Sequence, residues 1–249
     1  MAWTWRELSG LFQRLDNEFK TDINLSDALS MPQLLQALNE QSPRVVKYII
    51  KHIKEIIEIA IGKTAPTDPN DEKQCINILT KSPVIKDYFN KTPELFNYLI
   101  NSFSTDEYNY LPLLNLLQGV IEKSTGSCLS LIRDSSTFFQ MLLNLLPISY
   151  INSFLLDLFS HPYKNIVKWT VEIEADKHLY PFLFEEEPKM VCALSILNKL
   201  VNIFPSKSEP MKRITSKTVL SQIFSAGIDA PTNEAAYAAF RLIVTVCNQ

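Results

Sequence analysis

Three histidines and four cysteines are the side chains of this chain best suited to metal binding or to nucleophile-and-base chemistry: His52, His161, His178, Cys75, Cys128, Cys192 and Cys247. No two of them stand at the short spacing that a zinc site uses. Each cysteine falls within an expected helix among apolar neighbours, so the reading is four buried free thiols, which suits a reducing compartment. His52 lies on the mainly polar flank of its helix, and His161 precedes Pro162 in a loop. Gly62-Lys63-Thr64 resembles the tail of a phosphate-binding loop. That loop needs an earlier glycine to wrap backbone around the phosphate, and Ile57 stands in its place. A helix cap followed by a solvated lysine is the better reading. A catalytic Ser or Cys commonly sits on a glycine-rich turn, and the chain has 5 glycines in 249 residues. Glu185-Glu186-Glu187 reads as a solvated acidic turn. Asp157 interrupts a very apolar helix; it either lines a groove or faces water, and water is preferred. These residues give no basis for an enzyme, and no cofactor is expected.

The elements that must carry these side chains are helices. Thr4 and Glu7 form a capping box that opens a helix over 5–19. Ser30 caps a second helix over 31–39. Ser42-Pro43 opens the clearest helix, 43–61, where Val46, Ile49, Ile50, Ile53, Ile56, Ile57 and Ala60 recur at spacings of three and four. Gly62 is placed to end it in the left-handed conformation. Further helices are expected over 70–81, 93–103, 111–123, 127–133, 137–146, 150–159, 164–173, 176–184 (capped by Asp176), 188–203, 216–227 and 233–246, the last opened by Thr232 or Asn233. Thr125-Gly126 is a turn. Residues 135–156 carry no charge and match a membrane span in length, but Gln140, Asn144, Pro147, Ser149, Tyr150 and Asn152 interrupt them. Pro147-Ile148-Ser149 reads as a turn between two core helices, and no membrane association is expected.

Short helices in series with short connections predict an all-α chain. The preferred arrangement is a right-handed α-solenoid of armadillo- or HEAT-like hairpins, formed as one domain over 1–249. Helix rhythm alone supports the repeat, because no consensus recurs at a fixed period. A net charge of −3 and pI of about 5.7 argue against a nucleic-acid partner. The first residues lack the basic and apolar regions of a secretory signal, so Asn24-Leu25-Ser26 and Asn90-Lys91-Thr92 are chance matches to a glycosylation acceptor. Trp3, Trp5 and Phe12 either staple the first helix to its neighbours or anchor a partner.

Several segments, in order, resemble the SAPS domain of the regulatory subunits of protein phosphatase 6 and of their yeast counterpart. They are Trp3 and Trp5; Leu25-Ser-Asp-Ala-Leu29 with Leu34-Leu35-Gln36; and Gln41-Ser-Pro-Arg-Val-Val-Lys-Tyr-Ile49. Next come Leu111-Pro-Leu-Leu114, Gly119-Val-Ile121 and Leu129-Ser-Leu-Ile132. Phe138-Phe-Gln-Met-Leu-Leu143, Ile151-Asn-Ser-Phe-Leu-Leu-Asp-Leu158 and Trp169 complete the set. The resemblance implies a cytoplasmic, non-catalytic regulatory or scaffold subunit. Such a subunit binds a Ser/Thr protein phosphatase catalytic subunit, and further scaffold proteins are conceivable partners. An armadillo-like adaptor for another protein is the alternative. Within the stretch of closest resemblance, Gln118, Glu122, Arg133, Asn152 and Asp157 are the candidate partner-binding residues, because each is polar and lies within or beside an apolar helix.

Overall fold

The structure, a computed structural model, describes residues 53–65, 69–103 and 108–249. The expected helices over 5–19 and 31–39, the start of 43–61, the aromatic group Trp3, Trp5 and Phe12, and His52 lie outside the described residues. Helices follow one another throughout, and no strand occurs among the described residues. They are α1 (53–60), α2 (Pro69–Lys81), α3 (Pro83–Lys91), α4 (Pro93–Asn101), α5 (Leu111–Ser124), α6 (Ser135–Asn144), α7 (Ser149–Leu158), α8 (Lys164–Glu172), α9 (Ala175–Leu179), α10 (Glu187–Ile203), α11 (Glu209–Ile214), α12 (Lys217–Ile228) and α13 (Asn233–Cys247). Two 3-10 segments, Ser127–Leu131 and Tyr180–Phe184, join α5 to α6 and α9 to α10.

Local chemistry explains where the helices begin and stop. The side chains of Ser82, Asp134, Ser208, Ser216 and Thr232 each accept a hydrogen bond from the backbone N–H three residues on, which satisfies an otherwise unpaired donor. Proline sits in the first turn of α3, α10 and α11, where no intrahelical donor is lost. Gly62 ends α1 with φ +81°, the conformation that glycine adopts without a Cβ penalty. At the turn after α5, Thr125 and Gly126 have φ +52° and +82°. A Cβ added to Gly126 would stand 2.7 Å from Cγ1 of Ile166, so the turn and the packing of α8 both require glycine there.

Two compact units divide the chain. One comprises Met1–Tyr98 with Asp106–Leu117, the other Leu99–Thr105 with Gln118–Gln249. In the first, α2 packs on α3. Its core includes Ile56, Ile57 and Ala60 of α1, the stripe legible from spacing, together with Ile78, Leu79, Ile85 and Phe89. In the second, α10 lies at the centre, against α7, α9, α13 and the Tyr180–Phe184 segment. Met190, Ala193, Leu194, Ile196, Leu197, Leu200 and Val201 of α10 are buried. Burial of a leucine or isoleucine side chain stabilises by about 1.5–3 kcal/mol, so this helix anchors the unit. The rings of Phe159, Trp169 and His178 surround Phe139 edge-on, with centroids 6.0–6.1 Å away. α12 approaches α13 closely at Gly227, where a Cβ would lie 3.1 Å from that of Ala239.

The uncharged run 135–156 resolves into two ten-residue helices, α6 and α7, joined by a turn with a cis Leu146–Pro147 bond. No helix among the described residues is long and apolar enough to cross a membrane. Several details depart from the sequence reading. Two short helices, α3 and α11, are additional. The expected helix over 127–133 is a 3-10 segment ending at Leu131. Cys75, Cys128 and Cys192 are buried free thiols as expected, but Cys247 is exposed, because α13 turns that position away from its packed face. Asp176 does not cap its helix. It is fully buried inside it, and Glu174, with φ +51°, occupies the cap position.

Candidate functional site

Three of the five residues singled out by sequence meet at one cleft, contained entirely in the second unit. Its lining is Gln118, Ile121 and Glu122 from α5, Phe154, Asp157 and Leu158 from α7, then His161, Tyr163 and Ile166. The cleft is shallow and open, with about 300 Å³ of space counting the solvent at its mouth.

Helix spacing fixes the polar rim. Gln118 and Glu122 are one turn apart on α5, and the Gln118 amide Nε2 donates to Oε1 of Glu122 at 3.0 Å. Asp157 is exposed near the end of α7, where its backbone carbonyl accepts from the Ser160 N–H and its carboxylate has no hydrogen bond or ion pair among the described residues. Beneath these groups Ile121, Phe154, Leu158 and Ile166 are buried and form an apolar floor. The wall is a tight turn around Pro162, in which the Tyr163 N–H donates to the His161 carbonyl at 2.7 Å. It stacks the two rings with centroids 5.8 Å apart and planes inclined by 22°. Tyr163 is 40% exposed, so its ring is available to a ligand. No lysine or arginine is among the lining residues, and the two carboxylates give the cleft a negative field.

Arg133 and Asn152 lie outside the lining. Arg133 is exposed in the turn before α6. Asn152 is half-buried on α7, with its Oδ1 enclosed and unpaired.

The most strongly coupled charges lie elsewhere, on α9 and α11. The Arg213 Nε and Nη2 donate to Oδ2 and Oδ1 of Asp176 at 2.9 and 2.7 Å, and Nη1 donates to Oε1 of Glu174 at 3.1 Å. The Tyr180 hydroxyl donates to Oδ2 of Asp176 at 2.8 Å. Burial, reinforced by the Asp176 charge, raises the Tyr180 hydroxyl pKa far above its ordinary value. The hydrogen bond to Asp176 raises that of Arg213. The hydrogen bond from Lys177 lowers that of Glu174. Each of the three Arg213 guanidinium nitrogens and the Tyr180 hydroxyl faces a carboxylate oxygen, so the cluster ties α11 to α9. Burial also drives the Cys128 thiol up to about 11, which makes it a poor nucleophile. No three His, Cys, Asp or Glu side chains gather as a potential metal site among the described residues. The sequence reading of Asp176 as a helix cap carries no information about an arginine 37 residues away.

A second surface stands out on α12 and α13. Phe224, Ile228, Tyr237, Phe240 and Val244 are between 40% and 67% exposed. The rings of Phe224 and Phe240 meet edge-on at 5.9 Å.

Known proteins place the chain by fold alone. No protein-family profile and no curated protein matches it. Among solved structures, a crystal structure of an engineered protein superposes with a TM-score of 0.50 at 15% identity, over 97% of this chain. The chain spans 59% of that protein's length. Two further engineered proteins align at TM-scores of 0.49 and 0.47, with 12% and 14% identity. They cover 96% of this chain, and 99% and 97% of their own.

Proposed function

We propose that this chain is a non-catalytic regulatory or scaffold subunit that binds a Ser/Thr protein phosphatase catalytic subunit of the phosphatase 6 type and directs it to substrates. The observation that carries the binding role is the cleft, where Gln118, Glu122 and Asp157 converge over an apolar floor beside exposed rings. An orienting polar rim around an apolar centre is how protein interfaces are built. The exposed apolar residues of α12 and α13 add a second surface of the kind that marks association sites. The phosphatase as partner rests on the SAPS resemblance of the segments between Leu111 and Trp169. On this reading the helices stack as a right-handed armadillo- or HEAT-like solenoid in the cytoplasm. The metals and the general acid belong to the partner.

Size-exclusion chromatography with light scattering tests the proposal. Folded protein mixed at micromolar concentration with the isolated catalytic subunit is expected to co-elute as a complex of defined mass. Separate elution of both proteins would remove the phosphatase and leave an adaptor for another protein partner.

A further inference from the structure

We infer that the cleft between α5, α7 and the His161–Tyr163 turn receives an arginine side chain of a partner polypeptide; this rests on reading the chain as a protein-binding scaffold, but not on the partner's being a phosphatase. The lining matches each part of such a side chain. An arginine has an apolar stem, a planar cation with five donors, and faces that stack on aromatic rings. Ile121, Phe154, Leu158 and Ile166 offer an apolar floor for the stem. The Asp157 carboxylate is unpaired, and the Gln118–Glu122 hydrogen bond occupies one Glu122 oxygen and leaves the other to accept. Tyr163, held in its stack with His161, presents an exposed ring beside them.

Other occupants fit less well. Two carboxylates without a lysine or arginine repel a phosphate or a carboxylate. A divalent cation lacks a third charged ligand here, because no three acidic, His or Cys side chains gather among the described residues. A lysine ammonium is a compact, strongly hydrated point charge that lacks the planar five-donor fork and the stacking faces of a guanidinium, so arginine is preferred. An open cleft encloses a side chain only in part. Free arginine is therefore held weakly, and the flanking residues of a polypeptide complete the contact.

The test uses the full, isotope-labelled chain and three blocked pentapeptides, identical except for a central arginine, lysine or citrulline, with arginine amide as a fourth probe. The arginine peptide is expected to shift the amide resonances of 118–122 and 157–163, with a Kd on the order of millimolar. The lysine peptide and arginine amide bind more weakly, and the neutral citrulline peptide leaves the spectrum unchanged. Asp157→Asn and Glu122→Gln are each expected to weaken the arginine peptide about two- to fivefold, the scale of an exposed ion pair. Glu172→Gln, outside the cleft, leaves binding as it was. Equal binding of the citrulline peptide, shifts confined to other residues, or insensitivity to both cleft variants would overturn the inference. Equal binding of arginine amide would overturn the polypeptide as its source. A catalytic subunit that fails to co-elute while the arginine peptide still binds refutes the phosphatase and leaves the arginine site standing.

Discussion

Replacing Arg213 by Met probes the buried charge cluster where it is most exposed to failure. Asp176 is 0% exposed, and two of its three side-chain hydrogen bonds come from Arg213. Methionine keeps much of the stem's volume but removes the charge. The Asp176 carboxylate then retains the Tyr180 hydroxyl as its side-chain partner. Removing one member of a buried ion pair costs about 3–5 kcal/mol, because the other charge stays buried without compensation. The Arg213 side chain is 25% exposed, so water reaches its end and the expected loss falls to about 2–4 kcal/mol. For a chain of this length that lowers the thermal midpoint by about 5–15 °C. The reciprocal change, Asp176→Asn, strands a cation that is partly solvated and still paired with Glu174, so about 1–2 kcal/mol is expected. Urea and thermal unfolding followed by circular dichroism give both values. If Arg213→Met were as stable as wild type, or less damaging than Asp176→Asn, the cluster would not be the tie between α9 and α11 described above.

Four further outcomes are expected. Gly126→Ala should destabilise by about 1–3 kcal/mol, because it adds a Cβ overlap with Ile166 to the left-handed strain. Gly62→Ala, with nothing within 4 Å of the new Cβ, should cost no more than about 1 kcal/mol; denaturant unfolding separates the two. In the native protein a thiol reagent at pH 8 should modify Cys247 at once and reach Cys75, Cys128 and Cys192 only on unfolding, and rapid modification of Cys128 would contradict its burial. The Glu174 carboxyl, held below its ordinary value of 4.5 chiefly by Lys177, contributes stability that is present above that pH and lost as pH falls through the lower, folded-state value. Lys177→Met removes the main cause, so the stability gap between wild type and variant should narrow on acidification below pH 4.5; a gap independent of pH would refute the assignment.

The sequence reveals what neighbours decide. Ser216 and Thr232 as caps, Gly62 as a helix stop, the Thr125-Gly126 turn and the break at Pro147 all depend on residues a few positions apart, and all are present. The α3 and α11 starts use the same chemistry, a serine followed by proline in the first turn, but the helices are too short for periodicity to expose them. Packing across the fold is not written locally. Nothing near Asp176 points to Arg213, so an acid at the start of the expected helix over 176–184 reads as a cap. The polar-on-apolar criterion that picks Gln118, Glu122 and Asp157 also picks Arg133 and Asn152, which the fold places outside the cleft. His161 and Tyr163 complete the wall from a loop, where the one usable signal is the proline between them.

Hydrogen–deuterium exchange on this chain, with and without a phosphatase 6-type catalytic subunit, tests the central claim of a partner-binding scaffold most directly. Peptides covering 118–122 and 157–163 are expected to gain protection in the complex, while the α9–α11 charge cluster, already closed in the free protein, stays unchanged. An exchange pattern identical with and without the subunit would contradict the claim that this phosphatase is the partner. Protection that spared the cleft would contradict its role as the contact.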